Sequence, residues 1–273
     1  MMSEYLDFSR EQARRAGQLL CEYADRRHTV RFKSSDIDVV TEADLASERL
    51  LVDAIRAQFP QHKILSEEGL GDLRSLAGEE SYLWLVDPLD GTVNYAHGYP
   101  FWGVTLALAE RGRVVMGVIY DPQRKEMFWA ERGRGAWCDG RRIQVSDTMQ
   151  LRDALVATGF AYKRATLADT AQGDILGNNL AEFGAVMPQV QGVRRAGAAV
   201  LDLAHLADGR LDAYWEMYLN PWDWAAGSLL VEEAGGLVTD QLGEPWSLGK
   251  NNIAASNGHL HDRLLSVLAA ARG

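Results

Sequence analysis

Apolar residues recur along this chain at two different periods, and the period changes with position. From Tyr5 to Arg26, Leu6, Ala13, Ala16, Leu20 and Ala24 fall at helical spacings, which predicts an amphipathic helix. TEADLASERLLVDAIRAQFP (residues 41–60) repeats the pattern through Leu45, Leu50, Leu51, Ile55 and Phe59, and Pro60 stops it. Short apolar runs follow. KILSEEG runs out at two glutamates, and LWLVDP is broken at Pro88. Residues 102–146 are rich in β-branched and aromatic residues. Turn signals punctuate them at Arg111-Gly112, Asp121-Pro122, Arg132-Gly133 and Asp139-Gly140, which predicts an antiparallel meander.

From about Leu151 the pattern alternates. ALVATGF reads as a strand, DILGNNLAEFGAVM as a helix, QVQGVRR as a strand and GAAVLDLAHLADG as a helix. LDAYWEM is then a strand, WDWAAGSLLVEEAGG a helix, LVTD and NIAAS strands, and HLHDRLLSVLAAA the last helix. Residues 1–150 therefore read as a helix pair plus an antiparallel sheet, and residues 151–273 as an α/β unit. No Gly/Ser linker, low-complexity segment or internal repeat separates them, so the expectation is one tightly packed body.

Composition narrows the function. The chain has 273 residues, 47% hydrophobic and 24% charged, with a net charge of −10. An acidic balance disfavours nucleic-acid binding through phosphate contacts, although metal ions can reverse the local field for a small phosphorylated substrate. No apolar run approaches a membrane span and the polar N-terminus lacks an apolar signal core, so no membrane role and a cytoplasmic location are expected. Cys21 and Cys138 have no metal-ligand spacing and read as packed thiols; the six histidines form no HExxH and the serines no GxSxG.

The chemistry concentrates in WLVDPLDGTVNY, Trp84 to Tyr95. Pro88 ends the apolar run and Gly91 permits a sharp turn, so Asp87 and Asp90 can converge at the carboxyl end of a strand. Two carboxylates this close repel unless a proton, a base or a cation lies between them, and no Lys or Arg occurs from Leu85 to Ala109. A divalent ion with hard oxygen ligands, Mg²⁺, is the economical answer. A plain Asp-Pro and Asp-Gly turn is the competing reading of this stretch alone. Glu67 and Glu68 close another apolar strand. Asp223 sits between Trp222 and Trp224 at an expected helix start, where complementing the helix N-terminus is the competing reading. Gly91 and Thr92 offer backbone N–H groups to an anion if a helix begins there, and Lys33 is a candidate phosphate-side cation.

WLVDPLDGTVNYAHGYPFWGVTLAL and NPWDWAAGSLLVEEAGG resemble the two signatures of the inositol monophosphatase family, within the Mg²⁺-dependent, lithium-sensitive phosphatases; KSSDIDVVTEAD and ILSEEG resemble segments upstream of them. The likeness runs from about Glu4 to the C-terminal helix. It implies a layered αβαβα sandwich, a mixed α+β and α/β fold of the inositol monophosphatase and fructose-1,6-bisphosphatase type, usually a homodimer. It implies two to three Mg²⁺ ions. Glu67, Asp87 and the Leu89 carbonyl would hold a first, Asp87, Asp90 and Asp223 a second, and a weaker third would lie near Glu67. Gly91 and Thr92 would bind phosphate. Thr92, hydrogen-bonded to Asp44, would orient the attacking water with Glu67, and Asp38 and Thr41 would support them. Gly197, Ala199 and Glu216 would bind the sugar alcohol. Three departures stand out: Glu42 and Ser66 replace smaller residues, and Trp224 replaces a smaller apolar one. Trp224 and the segment from Tyr162 to Met187 are expected to shape the pocket.

The resemblance makes inositol 1-phosphate the first substrate to consider, with other small phosphorylated polyols and sugars as rivals. Fructose 1,6-bisphosphate is the strongest, because one pocket can accept both. Histidinol phosphate is weakened by the absence of an aspartate in GAA, and a phosphorylated nucleotide by the chain's length. A non-catalytic binding or regulatory role is the third reading, and the presence of every ligand position counts against it.

Overall fold

LWLVDP is buried on both faces, and the rest of the molecule is arranged around it. The computed structural model describes residues 2–24, 30–32, 39–69, 82–161, 171–172, 175–176 and 179–272. Within it, the run forms most of β4 (Tyr82–Asp90), in a seven-stranded sheet of order β3-β4-β5-β6-β7-β8-β9. Its neighbours are β3 (Lys63–Ser66), β5 (Gly103–Glu110), β6 (Arg113–Asp121), β7 (Glu126–Glu131), β8 (Ala136–Cys138) and β9 (Arg141–Ile143). From β4 onward every pair is antiparallel, which gives the expected meander; β3 pairs with β4 in parallel.

Alternate side chains of a strand face opposite ways. Trp84 and Val86 therefore meet one core and Leu83 and Leu85 another. On the Trp84 side lie α1 (Met2–Ala24) and α2 (Glu42–Gln58), contributing Leu6, Ala13, Ala16, Leu20, Leu51, Ile55 and Phe59. Burying one such Leu or Ile contributes roughly 1.5–3 kcal/mol. Leu45 departs from the expected apolar face and is 39% exposed. A short hairpin of β1 (Val30–Phe32) and β2 (Val39–Thr41), which the apolar pattern does not signal, leads into α2.

On the Leu83 side lie α5 (Ala199–Ala207) and α6 (Pro221–Glu233). Their other side packs on a second sheet. Its order is β13 (Gly192–Arg194), β10 (Leu155–Thr158), β14 (Ala213–Met217), β16 (Asn252–Ser256) and β15 (Leu237–Thr239). Along these strands Ala157, Tyr214, Ile253 and Ala255 face α5 and α6. Val156, Ala213, Trp215 and Ala254 instead meet α7 (His261–Ala271) and Val186 of α4 (Leu180–Val186). The layers therefore run helix pair, sheet, helix pair, sheet, helix pair. The central helices pack tightly: a Cβ on Gly227 of α6 would lie 2.5 Å from Leu203 Cβ, and one on Gly117 of β6 would lie 2.8 Å from Ala226 Cα.

The helix expected from Asp174 is shorter. Ala171–Gln172 (β11) and Ile175–Leu176 (β12) form a small hairpin, and α4 begins only at Leu180. Asn179 explains the late start: it is buried in the left-handed region at φ 71°. Its amide donates to Thr158 Oγ1 (2.8 Å) and the Gly159 carbonyl (2.7 Å), and its oxygen accepts from the Trp215 indole (2.6 Å). Those bonds hold Asn179 out of a helix. Among the described residues no helix is long and apolar enough to cross a membrane.

Candidate active site

Parallel pairing brings the carboxyl ends of β3 and β4 to one edge. Ser66 pairs with Val86, and the Glu67 N–H donates to the Val86 carbonyl (3.2 Å), so Glu67 leaves β3 beside Asp87. In a regular strand Asp87 and Asp90, three apart, would face opposite ways. The pairing with β5 shifts between them: Asp87 lies opposite Thr105 and Asp90 opposite Gly103. Two residues of β4 thus stand against one of β5, a bulge that turns both carboxylates to the same side. Pro88, which has no N–H to give a ladder, sits in that bulge.

Both aspartates line a cavity of about 480 Å³, together with Glu67, Leu89, Gly91, Thr92, Gly197, Ala199, Glu216 and Asp223. Gly91 is left-handed (φ 90°), and a Cβ there would press on the Phe101 carbonyl and on Trp102 and Ala198. Thr92 opens the short α3 (Thr92–Ala96). Its hydroxyl lies 2.9 Å from Asp44 Oδ1, to which it donates, and 3.1 Å from the Leu89 carbonyl. Asp44 itself is held by α2: Thr41 N–H and Oγ1 donate to its other oxygen at 2.9 and 2.5 Å, closing a capping box. Burial raises the Asp44 pKa, opposed by the Thr41 and Thr92 bonds.

The opposite wall comes from the second half of the chain. The Val200 N–H, in the first turn of α5, donates to Asp90 Oδ2 (2.8 Å). Asp223 lies in the first turn of α6 and accepts the Asn220 N–H (2.7 Å) in a second capping box, so its capping role and its place in the cavity coexist. The Tyr214 hydroxyl donates to Glu216 Oε2. Gly159 stands against the same carboxylate, where a Cβ would fall 2.0 Å from Oε1.

So many carboxylates in one cavity are costly without a counter-charge. Burial, then Glu67, Asp90 and Asp223, push Asp87 well up. Burial, then Glu67 and Asp90, do the same to Asp223. Asp90 rises to about 8, mainly by burial, with Glu67 and Glu216 adding and the Val200 N–H opposing. Burial lifts Glu216 to about 7 against the Tyr214 hydrogen bond and Arg195. A proton or a cation relieves this, and the donor set of four carboxylates beside a backbone carbonyl is hard oxygen, the set that suits Mg²⁺. Asp121, Glu126 and His205 form a separate group elsewhere, with ligand atoms all within 4.8 Å of one another. In that group Arg210 binds Glu126 through two 2.6 Å hydrogen bonds and Arg124 binds Asp121 at 2.8 Å, so its negative charge is already met.

The structure gathers Glu67, Asp87, Leu89, Asp90, Gly91, Thr92, Gly197, Ala199, Glu216 and Asp223 around one cavity, with Asp44 one hydrogen bond behind Thr92. Lys33 and Asp38 lie outside the described residues, as does Tyr162. Trp224 corrects an expectation. It is fully buried against Trp246, ring centroids 5.3 Å apart, and takes no part in lining the cavity, because its place on α6 faces the core. Sequence reading missed Gly159, Asn179, Arg195, Asp202 and Tyr214. Only Tyr214 carried a signal, two residues before Glu216 on the same strand face.

Comparison with known proteins agrees with this fold. The inositol monophosphatase family matches residues 1–272. The chain is 43% identical over 268 residues to a Pseudomonas aeruginosa protein named Nus factor SuhB, covering 98% of this chain and 96% of that one. It is 39% identical over 269 residues to an inositol-1-monophosphatase of Synechocystis, covering 98% and 90%. The solved inositol monophosphatase of Anabaena superimposes with a TM-score of 0.85 at 44% identity, over 98% of this chain and 96% of that one. The fold and the matches define a layered metal-site phosphatase class, and the chain belongs to the inositol monophosphatase family. It is a phosphoric monoester hydrolase.

Proposed function

We propose that the cavity hydrolyses a small polyol phosphate, myo-inositol 1-phosphate first, in a Mg²⁺-dependent reaction, and that the enzyme works in the cytoplasm as a homodimer. The observation that carries the reading is the convergence of Glu67, Asp87, Asp90 and Asp223 beside Thr92 and Glu216 in one cavity. Glu67, Asp87, Asp90, Asp223 and the Leu89 carbonyl would hold two to three Mg²⁺ ions, which when bound supply Lewis-acid charge that activates water and neutralises phosphate. Thr92 donates its hydroxyl hydrogen bond to Asp44 and so leaves its oxygen lone pairs to accept a hydrogen bond from one proton of the attacking water. Glu67 accepts the other. The backbone N–H groups of Gly91 and Thr92, with Lys33, bind phosphate oxygens. Glu216, pinned by Tyr214, accepts a hydroxyl of the leaving alcohol, with Gly197 and Ala199 giving it room.

The name of the Synechocystis relative favours inositol 1-phosphate. Fructose 1,6-bisphosphate and histidinol phosphate are the competing substrates for the same site. The name Nus factor, carried by the Pseudomonas relative, supports a second reading in which this chain has a role of that kind beside catalysis. Phosphate release from the three esters, with and without Mg²⁺, decides the first question. Mg²⁺-dependent release led by inositol 1-phosphate is expected; another leading ester would move the substrate assignment, and no release from any would overturn the hydrolytic reading.

A further inference from the structure

Asp202 is a carboxylate that the fold does not use. It lies on α5, is 3% exposed and lines the cavity. Its main-chain N–H closes the helix onto Ala198, but among the described residues its carboxylate takes part in no hydrogen bond or ion pair. The other acids of this region are all occupied: Asp44 by Thr41 and Thr92, Asp90 by Val200, Glu216 by Tyr214 and Asp223 by Asn220. A first-turn acid gains a little from the helix dipole. That gain is available to a solvated side chain and does not require burial. A buried carboxylate without a partner costs more than it returns unless a ligand supplies the partner.

The surroundings indicate what that ligand group is. The nearest charged influences on Asp202 are Glu216, Asp90 and Arg195. Glu216 and Asp202 thus look onto the same part of the cavity from two elements, β14 and α5. Glu216 cannot move toward Gly159, whose missing side chain is the space it fills. Arg195, exposed at the rim, already offsets part of their negative charge. The unmet need is therefore for hydrogen-bond donors rather than for another cation.

We propose that Asp202 is a specificity residue for the leaving alcohol, and that with Glu216 it takes two separate hydroxyls of a polyol. This rests on the hydrolase reading above. Glu216 alone would recognise one hydroxyl; the second acceptor makes the site discriminate a polyol ester from an ester whose alcohol carries none. A site built to bond a hydroxyl rejects the analogue lacking it, because its buried polar group is left unpaired.

The test compares the parent with Asp202→Ala and Asp202→Asn, on myo-inositol 1-phosphate and p-nitrophenyl phosphate at saturating Mg²⁺, with melting temperatures alongside. The ratio of kcat/KM for the first ester over the second is expected to fall at least tenfold in Asp202→Ala, chiefly through KM for the inositol ester. Asp202→Asn, which keeps one acceptor oxygen, should fall less. Both variants should melt at or above the parent, since an unpartnered buried carboxyl group has been removed. An unchanged ratio overturns the assignment, as does a melting temperature well below the parent in Asp202→Asn, which would make the residue structural. Asp202→Asn alone decides if Asp202→Ala does not fold. A parent inactive on both esters would overturn the hydrolase reading and this inference with it; a parent active on both with an unchanged ratio would sink only the role of Asp202.

Discussion

Thr92 and Asp44 are 48 positions apart, yet one hydroxyl proton joins them, and behind Asp44 stands Thr41. In the proposed reaction, this chain of hydrogen bonds would let a helix cap bear on catalysis. Thr41→Ala should cost about 1 kcal/mol as a lost cap and should also slow turnover several-fold, because Asp44 would no longer be fixed toward Thr92; a thermal melt and a kcat measurement separate the two effects. Asp90 makes a sharper case. Its pKa is raised by burial to about 8, so between about pH 4 and 8 the folded chain binds more protons than the unfolded one. Stability is then fully present at the acidic end of that window and is lost as pH rises through 8. Metal-free protein should therefore melt higher at pH 6 than at pH 9, and Asp90→Asn should flatten the trend while lowering Mg²⁺-dependent activity about 10³-fold. A variant with the parental pH slope and rate would remove Asp90 from the site.

At the scale of elements, the central helices set the tolerances. Gly227 leaves room for Leu203 and no more, so Gly227→Val should overpack the α5–α6 contact at a cost of about 1–3 kcal/mol, read as a lower melting temperature with kcat unchanged in whatever remains folded. Gly159→Ala should act differently. Its Cβ would enter the space of the Glu216 carboxylate, so KM for the inositol ester should rise at least tenfold with little change in melting. Most of these elements were legible in the sequence, because both periods are clean: the Leu6 to Leu20 repeat, the LWLVDP run and the NIAAS strand all fall where the pattern puts them. The acidic positions were legible too: Asp87, Asp90 and Asp223 through the two signatures that resemble the family, Asp44 and Glu67 through the upstream segments, and Glu216 through DAYWE. What stayed hidden depends on long-range contact. Leu45 fits the helical repeat and yet points outward. Asn179 abandons the helix for bonds to Thr158, Gly159 and Trp215, and nothing local in GNNL announces those partners. Asp202 reads as an ordinary helix-start acid until its burial is known.

At the scale of the molecule, the site belongs to both halves of the chain. Glu67, Asp87 and Asp90 come from the first sheet and its edge, Glu216 and Asp223 from the second sheet and the helix after it. A ligand bound there stabilises the whole assembly. Mg²⁺ at a hundred times its Kd should add about 2.7 kcal/mol, a rise in melting temperature of about 5 °C for a chain of this size, reversed by a chelator. Asp223→Asn should lose most of that rise, which would tie α6 to the cation; a full rise in the variant would place the ion elsewhere.

The bulge between Asp87 and Asp90 has one more implication. Which face of the sheet carries the second aspartate is decided by counting, since a regular ladder of three steps on both strands would send that side chain to the α1–α2 side. Inserting one residue after Val104, on β5 opposite the bulge, would leave every acidic residue in the sequence and dismantle their meeting place. In this strand the chemistry is written in length as much as in letters, so residue-by-residue comparison of two such chains can report an intact site where an indel has already erased it.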